Sequence, residues 1–356
     1  MKEQLEKLCT AYVANREAVQ QAFRRDNSAL YSVCANIYCA CGKTADAGRL
    51  KECWQVIRAH TRPFSKFRSK KIRSVLSCLL DLGTDPESRM AQANDYYRLL
   101  KRHFKKTEYL VLTAFLLTDL ADRNLTEEKA VRARDIFRRM NKAHRILTNN
   151  TDSVFAVLMA YSDKTDDELL SDMEKDYQAL KARFSSSGDV QMVAQILSMV
   201  PGDTENKVQR LIGLYDALLE SEIKYGHSSE LAPLAALSLA DVPVRDLAEE
   251  IGSVDAFLQP QKFYGTKDAD IEQRAMHAVM IVSDQYAGTD QANPSVMTNT
   301  LNMLISKAQA SRLSFAIHAL EFLAKALVAL KEHADTANKT QSEENSVSQT
   351  AEKTDQ

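Results

Sequence analysis

The sequence predicts an all-α protein in which pairs of helices stack into an array. Glycine and proline are scarce, at 10 and 7 of 356 residues, so few positions interrupt a helix. We find no convincing run of alternating β-branched residues, the pattern that indicates a strand. One stretch of the chain also recurs about every 40 residues. The first two observations predict the helices, and the recurrence predicts how they are arranged.

Four helices are predicted before the recurrence begins. The first ends at the polar residues 26–28, the second at Gly42, the third before Pro63 and the fourth at Gly83. Each carries apolar residues at helical spacing, so each is expected to bury one face. The predicted helices are Lys2–Phe23, Ala29–Cys41, Ala45–His60 and Lys70–Leu82.

The recurring stretch is clearest from Asp85 to Asp119. Its first helix carries an apolar stripe around Tyr97, and after a polar break at 105–107 a second apolar helix follows. The same spacing of apolar residues returns around Phe137, Tyr177 and Tyr215. Each copy begins with residues that stabilise a first helical turn. These starts are Asp85-Pro86, Thr126-Glu127-Glu128, Thr165 to Glu168, and Thr204-Glu205. A further pair is predicted at Val244–Leu258 and Asp270–Asp284.

A single pair of amphipathic helices cannot bury its apolar face, whereas stacked pairs form a continuous core. A period of about 40 residues is typical of HEAT-like or armadillo-like units rather than of tetratricopeptide units. We therefore expect an α-solenoid of about seven helix pairs over residues 1–284. Residues 285–333 are expected to form C-terminal capping helices, and the polar residues 334–356 a disordered tail.

The location predicted for this chain is the cytoplasm. No apolar run approaches the roughly 18 residues that a membrane-spanning helix needs. The first eight residues mix acids and bases and lack the apolar core of a signal peptide. The six cysteines are then expected to be reduced thiols, and no membrane partner is expected.

The net charge of −2 conceals a strong asymmetry along the chain. Residues 49–145 carry a balance of +12, and residues 146–356 a balance of −15. The densest basic run, residues 58–73, contains no acid and includes Phe64 and Phe67. Further bases follow, among them Arg132, Arg134, Arg138, Arg139, Lys142 and Arg145. The candidate binding residues, a predicted basic ridge, are Arg58, Arg62, Lys66, Arg68, Lys70, Lys71, Arg73, Arg98, Lys101, Arg102, Lys105 and Lys106.

Three interpretations of the basic ridge remain open. It is either a solvated face balanced by the acidic half, a surface for an acidic protein partner, or a surface for nucleic-acid phosphates. The protein partner could be another copy of this chain. The first functional hypothesis is an interaction module or scaffold, and the alternative is binding of nucleic acid or another polyanion.

Enzymatic chemistry is the third hypothesis, and the sequence offers little for it. Cys34, Cys39 and Cys41 cluster on an apolar helix, where small buried thiols are common, although redox or metal chemistry stays open. The segment Gly42-Lys43-Thr44 resembles the end of a phosphate-binding loop, but Ile37 stands where that loop needs glycine. No catalytic residue, metal ligand or cofactor is predicted.

Several short stretches resemble an uncharacterised family of helical proteins from Gram-positive bacteria. They are Pro63 to Arg68, Tyr109-Leu110, His144 to Thr148 leading into Ala156 to Ala160, and Phe263-Tyr264-Gly265. The likeness covers most of residues 1–331. It implies a bacterial cytosolic protein with a domain of unknown function, and it brings no active site.

Overall fold

A computed structural model describes residues 1–83, 85–119, 124–150, 152–200, 202–228, 230–264 and 271–286 of this chain. These residues form fourteen α-helices and no strand, which confirms the predicted all-α class. The helices are α1 (Glu3–Ala22), α2 (Ser28–Ala40), α3 (Ala47–Ala59), α4 (Arg73–Leu82), α5 (Pro86–Leu100), α6 (Glu108–Leu116), α7 (Glu127–Ala143), α8 (Asp152–Met159), α9 (Asp166–Lys181), α10 (Ser187–Met199), α11 (Thr204–Glu220), α12 (Leu231–Ser238), α13 (Val244–Leu258) and α14 (Ile271–Tyr286). The predicted capping helices and tail lie almost entirely outside the described residues.

The helices are of two kinds that alternate along the chain. Odd-numbered helices bury one stripe and expose the opposite face, as α5 does with Met90, Ala93 and Leu100 inside. Even-numbered helices are covered on nearly all sides, and α10 buries every residue from Val190 to Met199. A helix that is apolar all round belongs in the interior. The odd helices therefore form an outer layer around an inner layer of even helices.

The helix pairs form a closed double ring. Each outer helix contacts the inner helix that follows it and the outer helices on either side, and each inner helix contacts the two neighbouring inner helices. The circle closes because α1 packs on α13 and α14, and α2 packs on α14. At this seam Tyr12 and Tyr264 share a hydrogen bond of 3.2 Å between hydroxyls, and Lys2 donates to Glu250 over 2.5 Å. An open solenoid would leave its first and last pairs apart.

The starts of the helices follow the capping chemistry that the sequence suggests. Asp85 and Thr126 accept hydrogen bonds from the first-turn N–H groups of α5 and α7. Thr165 and Glu168 form a complete capping box at the start of α9. The start of α11 lies one residue earlier than expected, because the side chain of Asp203 rather than that of Thr204 accepts the bond from Asn206.

The loops that join outer to inner helices are fixed by aromatic contacts. In three of them a phenylalanine packs edge-to-face on an aromatic ring of the next outer helix. The ring centroids are 5.3 Å apart for Phe67 and Tyr97, 5.8 Å for Phe104 and Phe137, and 5.3 Å for Phe184 and Tyr215. Successive loops of this kind therefore lie side by side along one edge of the ring, which we call the rim.

Candidate functional site

Two neighbouring clefts open on the rim beside the second, third and fourth helix pairs. Cleft A, with a volume of about 1010 Å³, lies between the loop after α3 and the end of α5. Its basic lining residues are Arg62, Lys66, Arg98, Lys101 and Lys106, together with His60. Within the part of the chain that the structure describes, no Asp or Glu lines this cleft.

Cleft B, with a volume of about 760 Å³, lies between the loop after α5, the end of α7 and the loop before α8. Its strong bases are Arg102, Lys105, Arg134, Arg138 and Lys142. The described lining again contains no acid, and Asn141, Asn149 and Asn150 supply neutral hydrogen-bonding groups. We call the ten strong bases of the two clefts the basic rim.

Four of these ten bases form ion pairs inside the chain. Lys66 lies 3.2 Å from Glu108, Arg98 lies 2.6 Å from Asp95, Arg102 lies 3.3 Å from Glu127, and Arg138 lies 3.7 Å from Asp135. The other six form no ion pair with a described residue. They are Arg62, Lys101, Lys105, Lys106, Arg134 and Lys142. Their charges are therefore available to a partner.

The backbone adds to the positive potential of the rim. The inner helices α6 and α8 begin here, and a helix N-terminus carries a partial positive charge. Glu108, in the first turn of α6, shows the effect. Burial alone would raise the pKa of its carboxyl, but hydrogen bonds from its own backbone N–H, from Lys66 and from Ser69 lower it. The surroundings of this carboxyl thus favour negative charge.

The remaining residues of the predicted ridge lie outside both clefts. The Arg68 guanidinium turns back onto the backbone carbonyls of Arg58 and Thr61, and its Nε lies 3.1 Å from the Thr61 hydroxyl. Arg73 pairs with the buried carboxylate of Asp26. These two arginines therefore have structural partners, which sequence spacing could not show. Arg58, Lys70 and Lys71 also do not line a cleft.

Two apolar side chains on the rim are almost completely exposed. Phe64, in the loop after α3, is 102% exposed and lines cleft A. Ile146, in the loop after α7, is 97% exposed. In the sequence it stands between Lys142 and Thr148, which both line cleft B. Helical periodicity gives no information about such loop residues. The sequence shows Phe64 and Phe67 interleaved with bases. It does not show that the ring of Phe67 is buried and that of Phe64 exposed.

The cysteine cluster belongs to the core. Cys34 and Cys39 are buried in α2, and Cys41 is half-buried at its end. Burial raises the pKa of the Cys39 thiol well above its usual range and that of the Cys9 thiol to about 12. The thiols of Cys9 and Cys39 are thus protonated and poorly reactive at neutral pH. Among the described residues, no group of three or more His, Cys, Asp or Glu could hold a metal ion.

The fold and the rim thus define an all-helical ring protein with a strongly basic pair of surface clefts. Residues 15–310 match the family described as "Protein of unknown function (DUF4003)", and the chain belongs to this family. The predicted resemblance to an uncharacterised family is thereby confirmed. No curated protein and no solved structure matches the chain. In the described part, no helix is both long and apolar enough to cross a bilayer.

Proposed function

We propose that this chain is an interaction protein, a scaffold that binds an anionic partner surface on the basic rim. The observation that carries the proposal is the meeting of ten strong bases in two adjoining clefts whose described lining contains no acid. Such a concentration of like charge costs free energy in the isolated chain. A polyanion would relieve that cost and release its own counterions.

Among soluble partners, an acidic protein surface is the first candidate, and it includes the acidic half of another copy of this chain. The asparagine side chains of cleft B would orient the carboxylates and peptide groups of such a partner. Nucleic acid is the second candidate, supported by the same charges and by the exposed ring of Phe64. It is the weaker one, because Phe67 and Phe104 are buried in edge-to-face pairs and offer no face to a base.

We propose binding rather than catalysis as the role of this chain. The hypothesis that the cysteine cluster carries out catalysis has no support, because Cys34 and Cys39 are buried among apolar side chains. Besides bases and neutral amides, each cleft contains a histidine and a serine, His60 and Ser65 in cleft A and His103 and Ser153 in cleft B. These groups have other partners: His60 pairs with Glu87, His103 lies 2.7 Å from Glu127, and the Ser153 hydroxyl donates to the Asn150 carbonyl. Among the described lining residues, no serine is therefore hydrogen-bonded to a histidine as a nucleophile and its base would be. Binding requires only the charges that the rim presents.

We also propose that the helix pairs of the ring are copies of one structural unit. Recurring contacts support this proposal. Arg132 donates to carbonyls at the end of α8, including that of Ser162 at 2.8 Å. Arg210 repeats the arrangement two pairs later, with the Ser238 carbonyl at 2.7 Å. A Gram-positive source and a cytoplasmic location remain part of the proposal.

The test is the affinity of the full-length protein for a soluble polyanion, heparin, measured as a function of salt. Lys105→Glu/Lys106→Glu is expected to weaken binding at least about tenfold and to reduce the dependence of log Kd on log salt. Lys51→Glu/Arg245→Glu is the matched control, since both residues are exposed, unpaired and outside the clefts. Equal affinity of the two variants, or no heparin binding at low salt, would overturn the proposal.

A further inference from the structure

The two exposed apolar side chains of the rim distinguish it from a simple basic patch. The other large apolar residues that are exposed in the described chain, Met1, Val131, Leu219 and Ile271, are between 43% and 50% exposed. Phe64 and Ile146 are exposed about twice as much and stand in equivalent loops, after α3 and after α7. The loop between them, after α5, carries Lys105 and Lys106. The exposed side chains of Phe64 and Ile146, which we call the apolar tips, therefore lie on either side of Lys105 and Lys106.

Phe64 is held outward by the residues on both sides of it. The backbone N–H of Ser65 donates to the Arg62 carbonyl over 3.0 Å, so that Phe64 lies within a tight turn. Three residues later Phe67 is buried against Tyr97, and Arg68 ties the loop to the carbonyls of Arg58 and Thr61. The exposed ring is thus presented from an anchored loop.

Ile146 is presented in a similar way. The His144 carbonyl accepts hydrogen bonds from the N–H groups of Leu147 and Thr148, at 3.1 and 2.9 Å. Leu147 packs against the core, and the buried Thr148 hydroxyl accepts a bond from Gln191. The His144 ring lies 2.7 Å from Glu174. With its neighbours fixed, Ile146 points away from the protein on the same edge as Phe64.

We infer that the rim docks on the surface of an anionic lipid bilayer. Phe64 and Ile146 would enter the boundary between headgroups and acyl chains, and the unpaired bases between them would contact the anionic headgroups. This inference rests on the proposed function and specifies its partner. It departs from the expectation of no membrane partner, because the sequence could not show the exposure of the two tips.

The chemistry of the tips favours a bilayer over the two soluble partners. Nucleic acid could stack a base on Phe64, but an aliphatic side chain such as Ile146 has no ring to stack. An acidic protein segment would satisfy the charges of a cleft and leave the apolar tips in water. A bilayer surface supplies negative charge across the whole rim and an apolar layer beneath it, so bases and tips are satisfied together.

The experiment is co-sedimentation of the full-length protein with vesicles of phosphatidylcholine alone or of phosphatidylcholine with added phosphatidylglycerol. The wild type is expected to bind the anionic vesicles and to show little binding to the neutral ones. Phe64→Ser/Ile146→Ser is expected to lose at least about tenfold in affinity, since each tip would bury apolar surface. Val131→Ser is the control, because this partly exposed apolar residue lies near the start of α7, at the opposite end of the helix from the rim and outside both clefts. Circular dichroism confirms that every variant is folded.

The outcomes separate this inference from the proposed function. If Phe64→Ser/Ile146→Ser binds anionic vesicles as tightly as the wild type, the insertion of the tips is wrong. If the wild type binds heparin through Lys105 and Lys106 but not the vesicles, the basic rim stands and the bilayer is excluded. The wild type could instead bind poly-glutamate or single-stranded RNA more tightly than the vesicles, with no effect of Phe64→Ser/Ile146→Ser. That result would overturn the bilayer inference and indicate that the basic rim binds a soluble partner.

Discussion

Lys207 offers the sharpest test of the forces that hold the ring together. It lies in α11, is 5% exposed, and its Nζ donates to the Leu197 and Val200 carbonyls at 2.7 and 3.3 Å. It therefore neutralises the C-terminal end of α10. The same Nζ lies 3.7 Å from the completely buried carboxylate of Asp176. The ammonium group of Lys207 thus stabilises both helices of the preceding pair, through Asp176 in α9 and the carbonyls at the end of α10.

Lys207→Met is expected to be strongly destabilising at neutral pH. It keeps most of the apolar stem but leaves the carboxylate of Asp176 buried without a counterion and the two carbonyls without their donor. Removing one partner of a buried pair typically costs ~3–5 kcal/mol. In a chain of this size that corresponds to a fall in Tm of roughly 4–7 °C.

The cost should depend on pH with a definite sign. Burial raises the pKa of Asp176 to about 6, although Lys207 opposes the shift. Because the pKa of this carboxyl in the folded state lies above that in the unfolded state, protonation stabilises the fold, and this contribution is lost as pH rises through about 6. Without Lys207 the pKa of Asp176 rises further. The difference between variant and wild type should therefore grow between pH 6 and pH 8.

Thermal and urea denaturation of both proteins at several pH values would measure this difference. Asp176→Asn in the Lys207→Met background should restore part of the stability at pH 8. Lys175→Met is the control, since that lysine is 63% exposed and its pair with Asp172 spans 3.6 Å. A cost below about 1 kcal/mol at pH 8, or one that does not change with pH, would refute the reasoning.

Two other predictions concern the backbone and the seam. Gly42 has a φ of +60°, which an L-residue adopts only with strain, so Gly42→Ala should lower the free energy of unfolding in urea by about 1 kcal/mol. Gly213 lies inside α11 with free space around its missing Cβ, so Gly213→Ala should raise the free energy of unfolding by about 0.5–1 kcal/mol. Equal effects of the two substitutions would contradict this reasoning. Tyr264→Phe removes the hydroxyl that lies 2.7 Å from His277 Nδ1 and 3.2 Å from the Tyr12 hydroxyl. We expect the free energy of unfolding to fall by ~1–3 kcal/mol, which calorimetry would show as a lower Tm. An unchanged Tm would mean that the seam does not depend on these two hydrogen bonds.

The sequence carried most of the local structure. Apolar spacing located the helices, and the capping residues of the recurring stretch located the starts of α5, α7, α9 and α11 to within one residue. Where no capping residue was identified the error was larger, since α4 begins at Arg73 and not at the expected Lys70. These features depend on interactions within one or two turns, which a linear pattern records. The sequence did not predict the closure of the ring, because Tyr12 and Tyr264 meet across 252 positions and periodicity reports only nearby neighbours.

The basic rim was predictable in its charge and less so in its geometry. Lys101 and Lys106 line a cleft as part of the expected ridge, but Arg68 and Arg73 are bound by groups that spacing does not bring together. Phe64 and Phe67 are equally apolar and three residues apart, yet one is fully exposed and the other 1% exposed. Only the turn between them and the approach of Tyr97 decide which ring is buried.

The seam has a consequence for how this protein is made. During synthesis α1 emerges first, but its partners at Glu250 and Tyr264 follow about 250 residues later. At ~5–20 residues per second, the first helix waits for tens of seconds with part of its apolar stripe uncovered. Over that interval the growing ring exposes apolar surface at both of its open ends, and this surface is covered only when the last pair packs on α1 and α2.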